Sequence, residues 1–505
     1  VKLHTSPFLF KDFRQTFKNK KMKRIFLGAL GVAALFTVSC KKDLISEDVQ
    51  KPLIIGATVD TLVGTISVNT TLTKTTYLQG IVFVDSLVTL TVNPGVTIKG
   101  SLGGAVPDLV NFANNKGTLI VRRGAMLNAV GTASQPIVWT SEKTAGTRNY
   151  GDWGGIVVLG KATTVTSSGG AEGLYEAFQL APNKVPFTYG AVVPVDNDNS
   201  GSIRYNRIEF AGGVVLQANQ EVNGLTLCGV GSGTQVEYVE VSNSGDDAFE
   251  FFGGRVSAKH LISFGNKDDD YDFDEGYVGN LQFIVAYRND LADNSGSEFI
   301  ELDNNSASAT FAGKAVTRPT IANATFIGPS SLTVRAGSGG RFDGGVYVRR
   351  SGKINFANSI VYADVLPAAI GVTTTTRVNI DNLPGSLDPA YIRYNMWQTV
   401  SATPVVWDND ESNQIVDGTA TAIPDFVLTD TLGNATQKNS AYASLAAMGV
   451  NAGTLQLLSG SPAKTGGLSL TFLDPFFTNT IQRGAVIDAD PWTVAAGTWI
   501  SIAVN

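Results

Sequence analysis

The chain has 505 residues, enough for a large core or several domains, and a formal net charge of −6. Only 16% of the residues are charged, 54 are glycine, and Thr, Val, Ser and Asn are plentiful, an all-β, turn-rich composition. Two cysteines and two histidines exclude a disulfide framework, cysteine-based zinc sites and histidine-dependent triads.

Residues 1–39 read as a signal region with Met22 as the better start. Met22-Lys23-Arg24 is a basic opening, and Ile25 to Val38 is an apolar run too short to span a membrane comfortably. It ends at Val38-Ser39-Cys40 and is followed by Lys41-Lys42-Asp43. This resembles a bacterial lipoprotein signal, in which the cysteine becomes the lipidated first residue. Thr37 departs from that pattern, standing where leucine is most common. A plain secretory signal is the alternative. Removing 1–39 deletes eight basic residues and one acidic, leaving a charge of about −13, which argues against nucleic acid as a partner.

Residues 40–56 read as a lipid-anchored tether, 57–365 as a parallel β-helix, and 366–505 as terminal coils with a C-terminal cap. In the first coils, Thr89-Leu90-Thr91-Val92 matches Thr118-Leu119-Ile120-Val121 at an offset of 29, each alternating towards a turn glycine. Residues 163–200 and 305–320 read as loop excursions. Ser440 to Met448 suggests a short helix, and Leu457 to Ala463 with Arg483-Gly484-Ala485 a cap over the last coil.

The densest signal lies at 237–276. Asp246, Asp247, Phe249, Glu250 and Phe251 superimpose on Asp268, Asp269, Tyr271, Asp272 and Phe273 at an offset of 22. A period of this size, with strands and turns but no helical stretch, reads as stacked coils of a solenoid. Stacking sets equivalent carboxylates ~4.8 Å apart. Two of them then repel by ~3.5 kcal/mol at an effective dielectric of 20. A hard cation with oxygen ligands would relieve this, and calcium tolerates irregular geometry. The candidate ligands are Asp246, Asp247, Glu250, Asp268, Asp269, Asp270, Asp272, Asp274 and Glu301. Hydrated, splayed acids on turns are the alternative. Asp196-Asn197-Asp198-Asn199-Ser200-Gly201 copies the first half of an EF-hand loop without its last ligand, making Asp196, Asp198 and Ser200 a second metal candidate. Period-2 alternation turns Phe249, Phe251, Tyr271 and Phe273 inward and leaves Phe252 and Tyr277 as the exposed, ligand-binding pair.

Gly151-Asp152-Trp153-Gly154-Gly155, the Gly245–Gly254 block and the Asp268–Gly276 block resemble Bacteroidota cell-surface lipoproteins of the pectin-lyase-like, right-handed parallel β-helix type. The resemblance implies an all-β solenoid held on the outer membrane by its N-terminal lipid, facing outward. It carries no activity with it. The expected role is binding or scaffolding, with a glycan or an outer-membrane protein as ligand and calcium as a structural ion. A calcium-dependent polysaccharide lyase or glycoside hydrolase is one alternative. Gly245-Asp246-Asp247 resembles the acid pair of polygalacturonases, but the Gly-His-Gly and Arg-Ile-Lys segments that accompany it are missing. A purely structural or adhesive surface protein is the other alternative.

The anchor is directly testable. Cys40→Ala should move the protein from the membrane to the soluble fraction, or leave it unprocessed, because acyl chains supply the membrane affinity. Unchanged fractionation and a mature N-terminus without lipid would contradict the lipoprotein reading.

Overall fold

The computed structural model describes residues 54–55, 60–104, 108, most of 112–288, 296–304, 316–328, 341–348, 352–362, 370–372, 391–398, 440–442 and most of 444–501. The signal region, Cys40 and nearly all of the tether lie outside the described residues, as does most of 305–320. Among the described residues no helix is long and apolar enough to cross a membrane.

The described strands number thirty, and almost all pair in parallel with the next coil. Each turn of the chain visits three ladders. Sheet A contains 81–84, Thr118–Val121, Gly155–Leu159, Leu225–Cys228, Phe249–Phe252, Tyr271–Asp274 and 300–302. Sheet B contains Thr89–Val92, Met126–Val130, 201–204, 235–237, 257–259 and 280–282. Sheet C contains Thr97–Gly100, Ile137–Ser141, 206–209, 239–242, 261–264 and 284–287. The result is a right-handed parallel β-helix, as the repeat predicts. Phe249 lies beside Tyr271, Glu250 beside Asp272 and Phe251 beside Phe273, which reproduces the 22-residue offset.

The offset of 29 does not hold. Thr89 lies beside Met126, and Ile81 beside Thr118, so the coil step there is 37 residues. The sequence match had set a strand of sheet B on a strand of sheet A. Both alternate apolar and polar around a turn glycine, and alternation alone does not say which face of a coil a strand occupies.

Inward-facing side chains of the three sheets form one continuous apolar column. Like stacks on like within it: Phe249 on Tyr271 at 5.2 Å between ring centroids, and Phe251 on Phe273 at 5.0 Å. These four rings point inward as expected. A second core covers the outside of sheet A. The 163–200 excursion and the hairpin of Val214–Gln217 with Gln220–Glu221 press Tyr175, Phe178, Phe187 and Tyr189 onto Phe83, Val157, Leu159 and Phe252.

The corner between sheets B and C is built from left-handed residues that are not glycine. Tyr205, Tyr238, His260, Phe283 and Asn323 have φ between 52° and 59°. A side chain in that region costs of order 1–3 kcal/mol. The rings stack along the corner, Tyr205 on Tyr238 at 4.5 Å, Tyr238 on His260 at 4.2 Å and His260 on Phe283 at 5.2 Å.

The segment expected to close the last coil lies instead along this corner. Within 444–501 the expected short helix is one turn, Leu445–Met448, capped by Ser444. Beyond it the chain straps the flank of earlier coils. Trp499 meets Tyr205 and Tyr238 edge-on, and Trp492 meets His260 in the same way. Gln282 exchanges two hydrogen bonds with the Thr478 backbone, and Asn358 does so with Leu468. A terminal coil does not bury this apolar corner, so the chain covers it with its own C-terminal residues.

Glu240 sits under this strap, fully buried, with its Oε2 accepting the Ser501 N–H at 2.7 Å. Burial pushes its carboxyl up to about 7 against that hydrogen bond, and the charge of Glu209 adds to the rise. A folded value above the unfolded one means that the folded state holds the proton longer. Stability should therefore fall as pH rises from about 4.5 to about 7, by about 3 kcal/mol from this group. Glu240→Gln should remove that part of the slope in urea melts taken across the window. An unchanged slope would mean that Glu240 is already ionised and solvated beneath the strap.

Candidate metal centre

Each coil enters sheet A through a turn, and here the acids converge. Asn223, Asp247 and Asp269 in three successive turns, and Glu298 within the strand Gly296–Leu302 of the next coil, occupy equivalent places two residues before matched strand positions. The Asn223 Oδ1 accepts the Asp247 N–H at 3.2 Å, the Asp247 Oδ1 that of Asp269 at 2.8 Å, and the Asp269 Oδ1 that of Glu298 at 2.6 Å. One oxygen of each acceptor thus caps the next coil, which fixes the side chain. Beside this ladder runs the outward column of sheet A, Thr226, Glu250, Asp272 and Glu301 in register.

The two columns create three groups of carboxylates. Asp246, Asp247 and Asp268 form one, Asp247, Glu250 and Asp272 a second, and Asp269, Glu298 and Glu301 a third. Within each group the oxygens that could bind an ion lie within 4.8 Å of one another. Asp247 belongs to two groups. Asp247, Glu250, Asp269 and Glu298 are buried, with 8% exposure at most. The donor sets are entirely oxygen and rich in negative charge, which fits a hard divalent cation.

The excursions over sheet A supply further charge. Burial, then the charges of Asp268, Glu221 and Glu176, hold the Asp246 carboxyl well above the usual carboxylate range. Asp247 is raised by burial and then by Asp246 and Asp269. Glu250 is raised by burial, then by Glu176 and Asp272. Glu250 also accepts from the Asn223 amide, which lies 3.4 Å from the Tyr175 hydroxyl. Burial and mutual repulsion both disfavour the charged forms of these groups, and a cation would reverse the shift.

Seven of the nine residues expected as ligands therefore fall into the groups, and two do not. Asp270 is fully buried and pairs with Arg288 at 2.9 Å, with Ser263 as a second donor. Its turn directs it to that guanidinium. Asp274 accepts the N–H of Glu275 at 2.5 Å, closing the turn after its strand. In the second candidate loop both acids are engaged by the backbone of the neighbouring coil. The Asp196 Oδ1 accepts the Thr163 N–H at 2.8 Å, the Asp198 Oδ2 accepts the Lys161 N–H at 3.0 Å, and Ser200 is buried. Although partial burial opposes it, Thr163 and Arg255 hold the Asp196 carboxyl below its ordinary value. These side chains pin the excursion to the coil.

Phe252 and Tyr277 are not the exposed pair. Phe252 does leave the coil, but the excursion covers it, with Tyr175 at 5.8 Å and Tyr189 at 6.3 Å. Tyr277 turns inward, fully buried against Phe251 and Phe273, with its hydroxyl on the Val256 carbonyl at 2.7 Å. Sequence reasoning also missed Glu298, Glu221 and Glu176. Glu298 was findable as the residue two before the strand position matching Tyr271; the other two come from excursions and left no periodic signal. Cys228 is buried, its thiol raised by burial and by Glu250, and is chemically quiet.

Two substitutions separate repulsive acids from paired ones. Asp246→Asn should raise the melting temperature of the chelator-treated protein at pH 8, because it removes a charge that Asp268 and Asp247 oppose. Asp270→Asn should destabilise by about 3–5 kcal/mol, because Arg288 stays buried without its counter-charge. Destabilisation by Asp246→Asn in calorimetric scans would show that the turn needs that carboxylate for another reason.

Residues 64–451 match the family model described as the pectate-lyase like beta helix domain. No curated protein and no solved structure matches the chain. The matched span takes in the coils of all three sheets and each of the three carboxylate groups. The chain belongs to the pectate-lyase like beta helix domain family.

Proposed function

We propose that this chain is a lipid-anchored β-helix of the bacterial outer membrane, facing outward, that acts as a binding or scaffolding module with calcium bracing its acidic turns. The observation that carries this reading is the convergence of eight acids on three groups, joined by Glu176 and Glu221 from the excursions. Family membership leaves catalysis and binding both open. The anchor rests on the Cys40 segment, and the ligand, a glycan or an outer-membrane protein, on the strongly acidic mature chain and the solenoid's long flank.

A lyase needs a base beside its cation. The Arg288 guanidinium is spent on Asp270, Ser297 and the carbonyls of Asp268 and Glu298. Arg255 is held by the carbonyls of Gly254 and Gly276. These two arginines stabilise turns and are not free to act as that base.

Calcium should raise the melting temperature of the protein, and the added stability should grow with ion concentration, reaching about 2.7 kcal/mol at 100 times the dissociation constant. Asp247→Asn should abolish most of that shift, since Asp247 serves two groups and the amide oxygen can still cap Asp269. Asp196→Asn should leave it intact. If chelation does not move the wild-type melting temperature and titration calorimetry detects no calcium, the acids hold protons and the cation is withdrawn from this reading.

A further inference from the structure

We propose that the first coils carry a separate pocket for one unit of a neutral saccharide. A cavity of about 590 Å³ opens on the outside of sheet C, lined by Thr61, Tyr77, Gln79, Asp108, Asn114 and Glu142, among others. Its size lies within the ~300–1,000 Å³ range of ligand pockets. Its floor is the outward side of the strands at 60–63 and 76–79, where Thr61, Tyr77 and Lys99 stand in register. Its wall is formed by Ser101, Gly103, Gly104, Asp108, Ala113 and Asn114, which follow Gly100.

The wall is built onto the coil. Gly80, at φ 67°, lies so close to it that a Cβ there would sit 2.0 Å from the Phe112 carbonyl oxygen. The Gly80 N–H donates to the Ser101 Oγ at 3.2 Å, and the Leu102 N–H to the Glu142 Oε1 at 2.8 Å. The Asn114 amide donates to the Asp108 Oδ2 at 3.3 Å. Carboxylates and amides held in this way accept and donate in fixed directions, which is what ring hydroxyl groups require. Tyr77 adds an apolar ring face of the kind that packs on sugar C–H groups, with Lys99 Nζ 5.8 Å from its centroid. Asp108 and Glu142 outnumber Lys99, so the pocket's net negative charge disfavours uronates and phosphates and selects for a neutral sugar.

The pocket lies at the same edge of the solenoid as the acidic turns, several coils before them, and uses none of their residues. It rests on the reading of the chain as a binding module and not on the cation. The test uses the mature chain and four probes, cellotriose, maltotriose, mannotriose and trigalacturonate, in saturation-transfer NMR with calorimetry. At least one neutral trisaccharide should bind, trigalacturonate should not, and binding should persist in chelator and in Asp247→Asn. Tyr77→Ala and Glu142→Gln should each weaken it tenfold or more. Gln79→Ala, at an exposed position, should weaken it without touching the packing. Failure of every neutral probe, preference for trigalacturonate, or affinity unchanged in the three variants would overturn the pocket. Such a failure beside an intact calcium shift would leave the binding-module reading standing and remove this pocket alone.

Discussion

Coil-on-coil stacking is the constraint from which the rest of this molecule follows. At ~4.8 Å per step, each side chain is set against its equivalent one coil away. Where the equivalents are apolar this is favourable, and Phe249 on Tyr271 and Phe251 on Phe273 fill the coil's interior with stacked rings. Where they are acidic the same register imposes repulsion, and Asp247 on Asp269 and Glu250 on Asp272 have no means of moving apart. The backbone ladder that stabilises the fold therefore also concentrates charge. The turn ladder turns part of that cost into structure, since Asp247 and Asp269 each accept the next coil's N–H through one carboxylate oxygen.

The same rule governs the corner between sheets B and C. A left-handed residue recurs at each coil, and the side chains there form a column of their own outside the core. Tyr205, Tyr238, His260 and Phe283 gain stacking from their neighbours but would leave a long apolar edge in water. The C-terminal strap answers this with Trp492 and Trp499 and with hydrogen bonds to Gln282, Asn323 and Asn358. It ties several coils together across 200 residues of sequence, as the Gln282–Thr478 exchange shows.

Legibility of the sequence tracked insertion. Between 237 and 276 two coils follow with nothing inserted, so the repeat, the register and the inward rings could all be read. Around 89–121 and after 276 insertions break the period, and the 29-residue match and the overlooked Glu298 are the consequences. Phe252 was read correctly as leaving the coil and incorrectly as exposed, because alternation reports direction and says nothing of what an excursion later covers. Glu176 and Glu221 enter the acidic cleft from such excursions, which no periodicity reaches. The strap was unreadable for a related reason. Its partners are left-handed aromatics, and a tyrosine at φ above zero leaves no mark in composition or period.

A hydrated edge would have exposed, splayed acids, whereas four of the eight acids here are buried and the other four only partly exposed. Asp247, Glu250 and Asp269 are all but closed to solvent, and capping fixes the orientation of two of them. Buried like charges of this kind must be neutralised, and a proton or a metal ion can do it. Protons neutralise one carboxyl each and serve best at low pH. A divalent cation neutralises two and can reach three oxygens within 4.8 Å at once, so it also bridges coils that otherwise repel. It would act at neutral pH, where ionised carboxylates in the stacked register repel one another. Sharing Asp247 between two groups couples them, so an ion bound at one alters the charge seen at the other. The stacked register that concentrates the acids thus also makes the cleft a single electrostatic unit rather than a row of independent sites.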